Sequence, residues 1–132
     1  MFKFVRIHLE LAQYAVSRSD DDDRFLLPAA YHVEQAIEKT LKQVANELGI
    51  QFAGSPTITR LLAAIPEDST IVSVESLEFL EVYASMLREW EASLKYNADC
   101  VATRRTVVKI LKFAENFYSE VASNIKLQGG VT

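Results

Sequence analysis

The chain has 132 residues, 49% of them apolar, and a formal net charge of −4. This suits a single soluble domain with a buried core and excludes a wholly disordered chain, and no stretch reaches the roughly 18–20 apolar residues of a membrane span. The acidic balance excludes a broadly basic nucleic-acid binder, so phosphate recognition would have to come from a local patch.

Lys3, Arg6, His8 and Glu10 interrupt the apolar residues of the first ten positions. No secretory leader is expected there, because a leader needs an unbroken apolar stretch. A lone cysteine, Cys100, cannot form an intramolecular disulfide. A reducing, cytoplasmic setting is the simplest expectation.

The first helix is expected over residues 2–16, where Val5, Leu9, Ala12 and Val16 recur at helical spacing. Ser19 and the run Asp20 to Asp23 end it, and the acidic run suits the positive start of the next helix. The second helix begins at Arg24 or at Pro28, with Pro28 either in the first turn or at a kink. Ala30, Val33, Ile37, Leu41, Val44 and Leu48 form its apolar face, and Gly49 stops it. Gly54, Ser55 and Pro56 mark a loop. A short helix over 57–65 is anchored by Leu61, Leu62 and Ile65 and closed by Pro66. The fourth helix, over 74–96, carries Leu77, Leu80, Ala84, Leu87 and Leu94 on one face. The last, over 99–123, carries Thr103, Val107, Ile110, Ala114, Phe117 and Val121. Residues 128–132, with Gly129 and Gly130, read as a frayed tail.

No segment alternates with period two between turn signals, so no sheet is expected. The predicted fold is all-α: one domain over 1–132, an up-and-down antiparallel four-helix bundle with one additional short helix.

The segment AAYHVEQAIEKTLKQVANELGI, residues 29–50, resembles the signature helix of HEPN domains. The matching positions are His32, Gln35, Ala36, Glu38, Lys39, Leu41, Lys42, Gly49 and Ile50. A loop and a short leucine-bearing helix follow, as in that family. Lys95-Tyr96 stands where many relatives carry Arg-Tyr. The resemblance spans about residues 14–118. It implies a helical bundle, commonly a homodimer, that binds nucleotides or RNA. Active members are metal-independent ribonucleases of toxin–antitoxin or defence systems, often paired with a small nucleotidyltransferase.

Those active members use an arginine, four to six intervening residues, and then a histidine. The histidine suits acid–base work near neutral pH, and the arginine can hold the phosphate. This chain has only His8 and His32, and seven residues separate Arg24 from His32. Arg6 lies only two positions before His8, and the slots after Arg88, Arg104 and Arg105 hold no histidine. The motif is absent. Nor is there a glycine-rich phosphate loop, a zinc-ligand spacing, or a Glu-x-x-His that would mark a di-iron bundle beside Glu34 and Glu38. No cofactor and no metal are expected.

His32, Gln35, Lys39 and Gln43 share the face of the second helix opposite its apolar stripe. That face is either plain solvated surface or a groove meeting a ligand or a second subunit. Arg105, Lys109 and Lys112 line the last helix and read as a solubilising surface or a phosphate strip. Tyr96 either stacks on a base or covers the core with its hydroxyl in water. Arg104 either contacts phosphate or reaches a carboxylate. Trp90 is expected at the core rim or a dimer contact, Cys100 as apolar filler, and His8 in packing rather than chemistry.

The leading expectation is a non-catalytic binding module for a nucleotide, an RNA or a partner protein. Lys39, Lys95 and Arg104 would contact phosphate, His32 and Gln35 would hydrogen-bond, and Tyr96 would stack. The alternatives are a divergent ribonuclease toxin joining His32 to an arginine of a second subunit, and a purely structural interaction domain.

Overall fold

The structure is a computed structural model that describes residues 2–96 and 102–129, without the side chains of 94–96 and 128–129. It comprises α1 (Lys3–Arg18), a 3-10 turn (Asp23–Phe25), α2 (Leu26–Glu47), α3 (Ile58–Ala64), α4 (Val74–Tyr96) and α5 (Arg104–Gly129). Four long helices and one short one form the bundle, and no strand occurs among the described residues.

Caps set the boundaries more sharply than periodicity does. Asp22 accepts from the Arg24 backbone N–H at 2.9 Å and starts the 3-10 turn, which runs directly into α2. Pro28 therefore sits in the first turn of α2, where its missing N–H costs nothing. At the other end Ile50 N–H donates to Ala45 O at 2.9 Å, and Gly49 N–H to Asn46 O at 3.1 Å. This pair of bonds is the Schellman arrangement, and it needs Gly49 at φ 72°. Leu48 is thus the C-cap and 36% exposed, not the end of the apolar face.

Thr57 Oγ1 accepts from Arg60 N–H at 3.3 Å and caps α3, while Ile65 turns extended before Pro66. Thr103, expected on the core face of the last helix, is exposed and caps it: Thr106 N–H donates to Thr103 Oγ1 at 3.3 Å. That cap moves the helix start from the expected position 99 to Arg104. The helix then continues to Gly129, past the expected end at 123.

The central element is α2, which packs against α1, α3, α4 and α5. Burial therefore runs nearly all round it: Ala29, Glu34, Gln35, Ala36, Glu38, Thr40 and Ala45 are buried along with its apolar stripe. Between α4 and α5 the contact is carried by aromatic side chains. Phe79 of α4 stacks on Phe113 of α5 with centroids 4.0 Å apart, and within α5 Phe113 stacks in turn on Phe117 at 5.5 Å. Glu120 of α5 accepts from Ser73 N–H and from Ser76 Oγ, each at 2.8 Å, which places a carboxylate at the positive start of α4. Trp90 is fully buried, at 0% exposure, so it is a core residue rather than a rim or dimer contact.

Candidate functional site: the groove between α1 and α2

Polar groups converge where α1 lies along α2. His8 Nδ1 and His32 Nδ1 are 2.9 Å apart, with ring centroids 5.2 Å apart. At that distance the neutral pair shares one proton, so one ring donates through Nδ1–H and the other accepts and keeps its own hydrogen on Nε2. The edge of Tyr31 packs against His32, centroids 5.4 Å apart. Both imidazoles are half-buried. Burial first, then the charges of His32 and Lys39, pushes the His8 pKa from 6.5 down to about 4. Burial also lowers that of His32.

A base neutral in the fold but protonated in the unfolded chain stabilises the protein fully above its unfolded pKa. That contribution is lost as the pH falls through the window between the two values, here from 6.5 to about 4 for His8. Thermal melts at pH 7.5 and pH 5 should therefore show a lower Tm at pH 5, with a smaller gap in His8→Gln. Histidine-ring NMR should place the His8 midpoint near 4. A midpoint at the ordinary imidazole value would contradict the buried pair.

Next to the histidines lies an open recess of about 220 Å³ lined by Phe4, Val5, Lys39, Lys42 and Gln43. Helical spacing places Phe4 one turn from His8 on α1, and Lys39 and Gln43 one turn apart on α2. Lys42 Nζ is 3.4 Å from Glu38 Oε2 and 3.1 Å from Ser55 Oγ. Gln43 Nε2 donates to Glu47 Oε1 at 3.2 Å. No ion pair holds Lys39 among the described residues, so its charge faces the recess uncompensated by a contact carboxylate.

The family model for the HEPN domain matches residues 8–125, from the middle of α1 to near the end of α5. The chain belongs to the HEPN domain family. No curated protein and no solved structure gives a match. No helix among the described residues is long and apolar enough to cross a membrane.

Within this HEPN domain the six residues singled out from sequence separate. His32 and Lys39 stand at the groove. Gln35 does not: it is 8% exposed, and its Nε2 donates to Glu34 Oε1 at 2.9 Å. The expected polar face fails there because α2 is surrounded on most sides by other helices. Arg104 takes the carboxylate option, with Nε 3.1 Å from Asp20 Oδ1. Lys95 and Tyr96 end α4, and their side chains, like all of Cys100, lie outside the described residues.

Sequence reasoning missed His8, Phe4, Val5 and Lys42 as groove residues. Spacing along one helix carries no signal for a pair 24 positions apart, which is why the two histidines read as unrelated. On α5, Lys109 Nζ sits 5.3 Å from the centroid of the Tyr83 ring, so that basic residue takes part in packing. Inside the bundle, carboxylate oxygens of Glu34, Glu38 and Glu91 lie within 4.8 Å of one another. Arg88 lines the water-sized cavity that Glu34 and Glu91 share and brings positive charge to it.

Proposed function

We propose that this HEPN domain is a non-catalytic module that binds the phosphate end of a nucleotide or RNA strand in the α1–α2 groove. The observation that carries this reading is the recess itself. Two lysines and an amide border it, and Phe4, 64% exposed, forms one wall. Ammonium groups attract a phosphate dianion, a primary amide adds a directional donor, and an exposed phenyl ring offers a stacking surface for a base. HEPN domains are often linked to nucleotides or RNA, which agrees with this chemistry. The ribonuclease spacing of arginine and histidine is absent, so binding without cleavage is the simpler assignment.

The test is calorimetric titration of the full chain with 5′-AMP and with a short 5′-phosphorylated RNA at low and high salt. Saturable binding that weakens with salt, together with a higher Tm, is expected. No binding and no Tm shift with either ligand would overturn the reading and leave a structural interaction domain.

The same helix supplies a surface for self-association, common among HEPN domains. Ile7, Leu11 and Tyr14 recur at spacings of four and three on α1 and are 39%, 42% and 60% exposed. This stripe lies away from the buried one formed by Val5, Leu9, Ala12 and half-buried Val16. It has the spacing of a helix–helix seam, and an apolar patch of this kind marks an interaction site. Leu11→Glu is expected to convert a dimer to a monomer in light scattering while leaving the helical circular dichroism unchanged. A wild type that runs as a monomer at every concentration would remove this part of the reading.

A further inference from the structure

We propose that anion binding in the α1–α2 recess is coupled to proton uptake by the His8–His32 pair, so that the domain holds its ligand more tightly as the pH falls. This rests on the phosphate-binding reading of that recess and adds its regulation. The geometry of the pair sets the stoichiometry. With the Nδ1 atoms 2.9 Å apart, the neutral pair is an in-line hydrogen bond whose donor ring keeps a lone pair on Nε2. One proton can add there without breaking the bond. The bond then runs from an imidazolium to a neutral imidazole and is strengthened by the charge. A second proton would put hydrogen on both facing nitrogens and force the rings apart. The pair therefore accepts one proton as a unit.

What the protonated pair lacks is a counter-charge. The positions one turn away from each ring along α1 and α2 hold no acidic residue. The charges that act on His8 are those of His32 and Lys39, both on α2 and both repulsive. Tyr31, packed against His32, is uncharged at neutral and acid pH. In the 3-10 turn Asp22 is held by Arg24. On α5, Arg104 is held by Asp20, Lys109 lies over Tyr83, and Glu120 serves the start of α4. Burial, with no counterion to offset it, lowers the proton affinity of both rings. Lys39 links the pair to the recess, because it borders the recess and its charge is felt at His8. A sulfate or phosphate seated on Lys39 cancels that repulsion and supplies the missing negative charge. By reciprocity, a pair that protonates more readily with the anion bound holds the anion more tightly once protonated. The bound state has the higher imidazole pKa, so affinity is flat above that value and rises as the pH falls from it toward the pKa of the free protein.

Sulfate is the probe, because it stays a dianion between pH 7 and pH 5.5, whereas a phosphate monoester loses charge there. Over the same interval ordinary carboxylates, lysines and the amino terminus change charge little, which leaves histidine as the group that titrates. Calorimetric titration of the full chain should show sulfate bound at least about fivefold more tightly at pH 5.5 than at pH 7. Repeating the titration at pH 5.5 in buffers of different ionisation enthalpy should show net proton uptake, not exceeding one proton per sulfate. The double variant His8→Gln, His32→Gln should bind sulfate equally at the two pH values and take up no proton. Histidine-ring NMR of the wild type should show the imidazole midpoints moving to higher pH when sulfate is added, a measurement that needs no variant to fold. Equal sulfate affinity at both pH values, no proton uptake, or unmoved midpoints would overturn the coupling and leave the recess a plain phosphate site. Failure of both sulfate and 5′-AMP to bind at either pH would overturn the phosphate reading, and the coupling with it.

Discussion

Trp90→Ala is expected to lower the unfolding free energy by about 3–5 kcal/mol, the range for deleting a large buried aromatic side chain. Trp90 is at 0% exposure and is the largest of the fully buried side chains. It sits in the C-terminal half of α4, one turn after Leu87, which is also fully buried. Its replacement by alanine leaves a void that the surrounding helices close only in part. Trp90→Phe should cost much less than Trp90→Ala. It keeps most of the apolar volume and removes an indole Nε1–H that has no hydrogen-bond partner among the described residues. Urea unfolding followed by circular dichroism measures both. A domain of this size holds about 5–15 kcal/mol in all, so the alanine variant should lose a large fraction of its stability. A loss under ~1 kcal/mol, the scale of surface substitutions, would return Trp90 to the surface.

Neutralising the groove is the second large effect. Lys39→Gln together with Lys42→Gln should weaken 5′-AMP at least about tenfold, equivalent to roughly 1.4 kcal/mol, and should flatten its salt dependence. Glutamine keeps much of each apolar stem, so the packing of α1 on α2 is preserved and the charge alone is removed. Lys42 already shares its charge with Glu38 at 3.4 Å, and Lys39 has no such contact among the described residues. The single Lys39 variant should therefore show the larger part of the loss. Arg105→Gln with Lys112→Gln removes the same amount of charge from α5 and serves as the control. Equal weakening by the two double variants would mean that net charge, not the groove, holds the ligand.

How much of this was legible in the sequence differs between elements. The inward stripe of α1 and the stripe of α2 from Ala30 to Val44 follow directly from the 3.6-residue period. The outward stripe of Ile7, Leu11 and Tyr14 obeys the same period and was equally readable. It is overlooked when a helix is expected to have only one apolar side. Helix ends were less legible, because a cap depends on which hydroxyl turns back onto the backbone. Thr103 shows this, since its spacing fits the core stripe while its oxygen caps α5.

By itself the sequence determined the helical class, the number of long helices, most of the core and the membership in the HEPN family, because each is written in local periodicity or in one contiguous motif. Only the tertiary structure decided which helix lies in the middle, and hence that Gln35 is interior and Lys39 is not. It also decided that His8 meets His32. The physical reason is common to both. A helix fixes the neighbours of a residue within one turn, whereas contacts between helices depend on how two surfaces pack, and no spacing along a single helix encodes that.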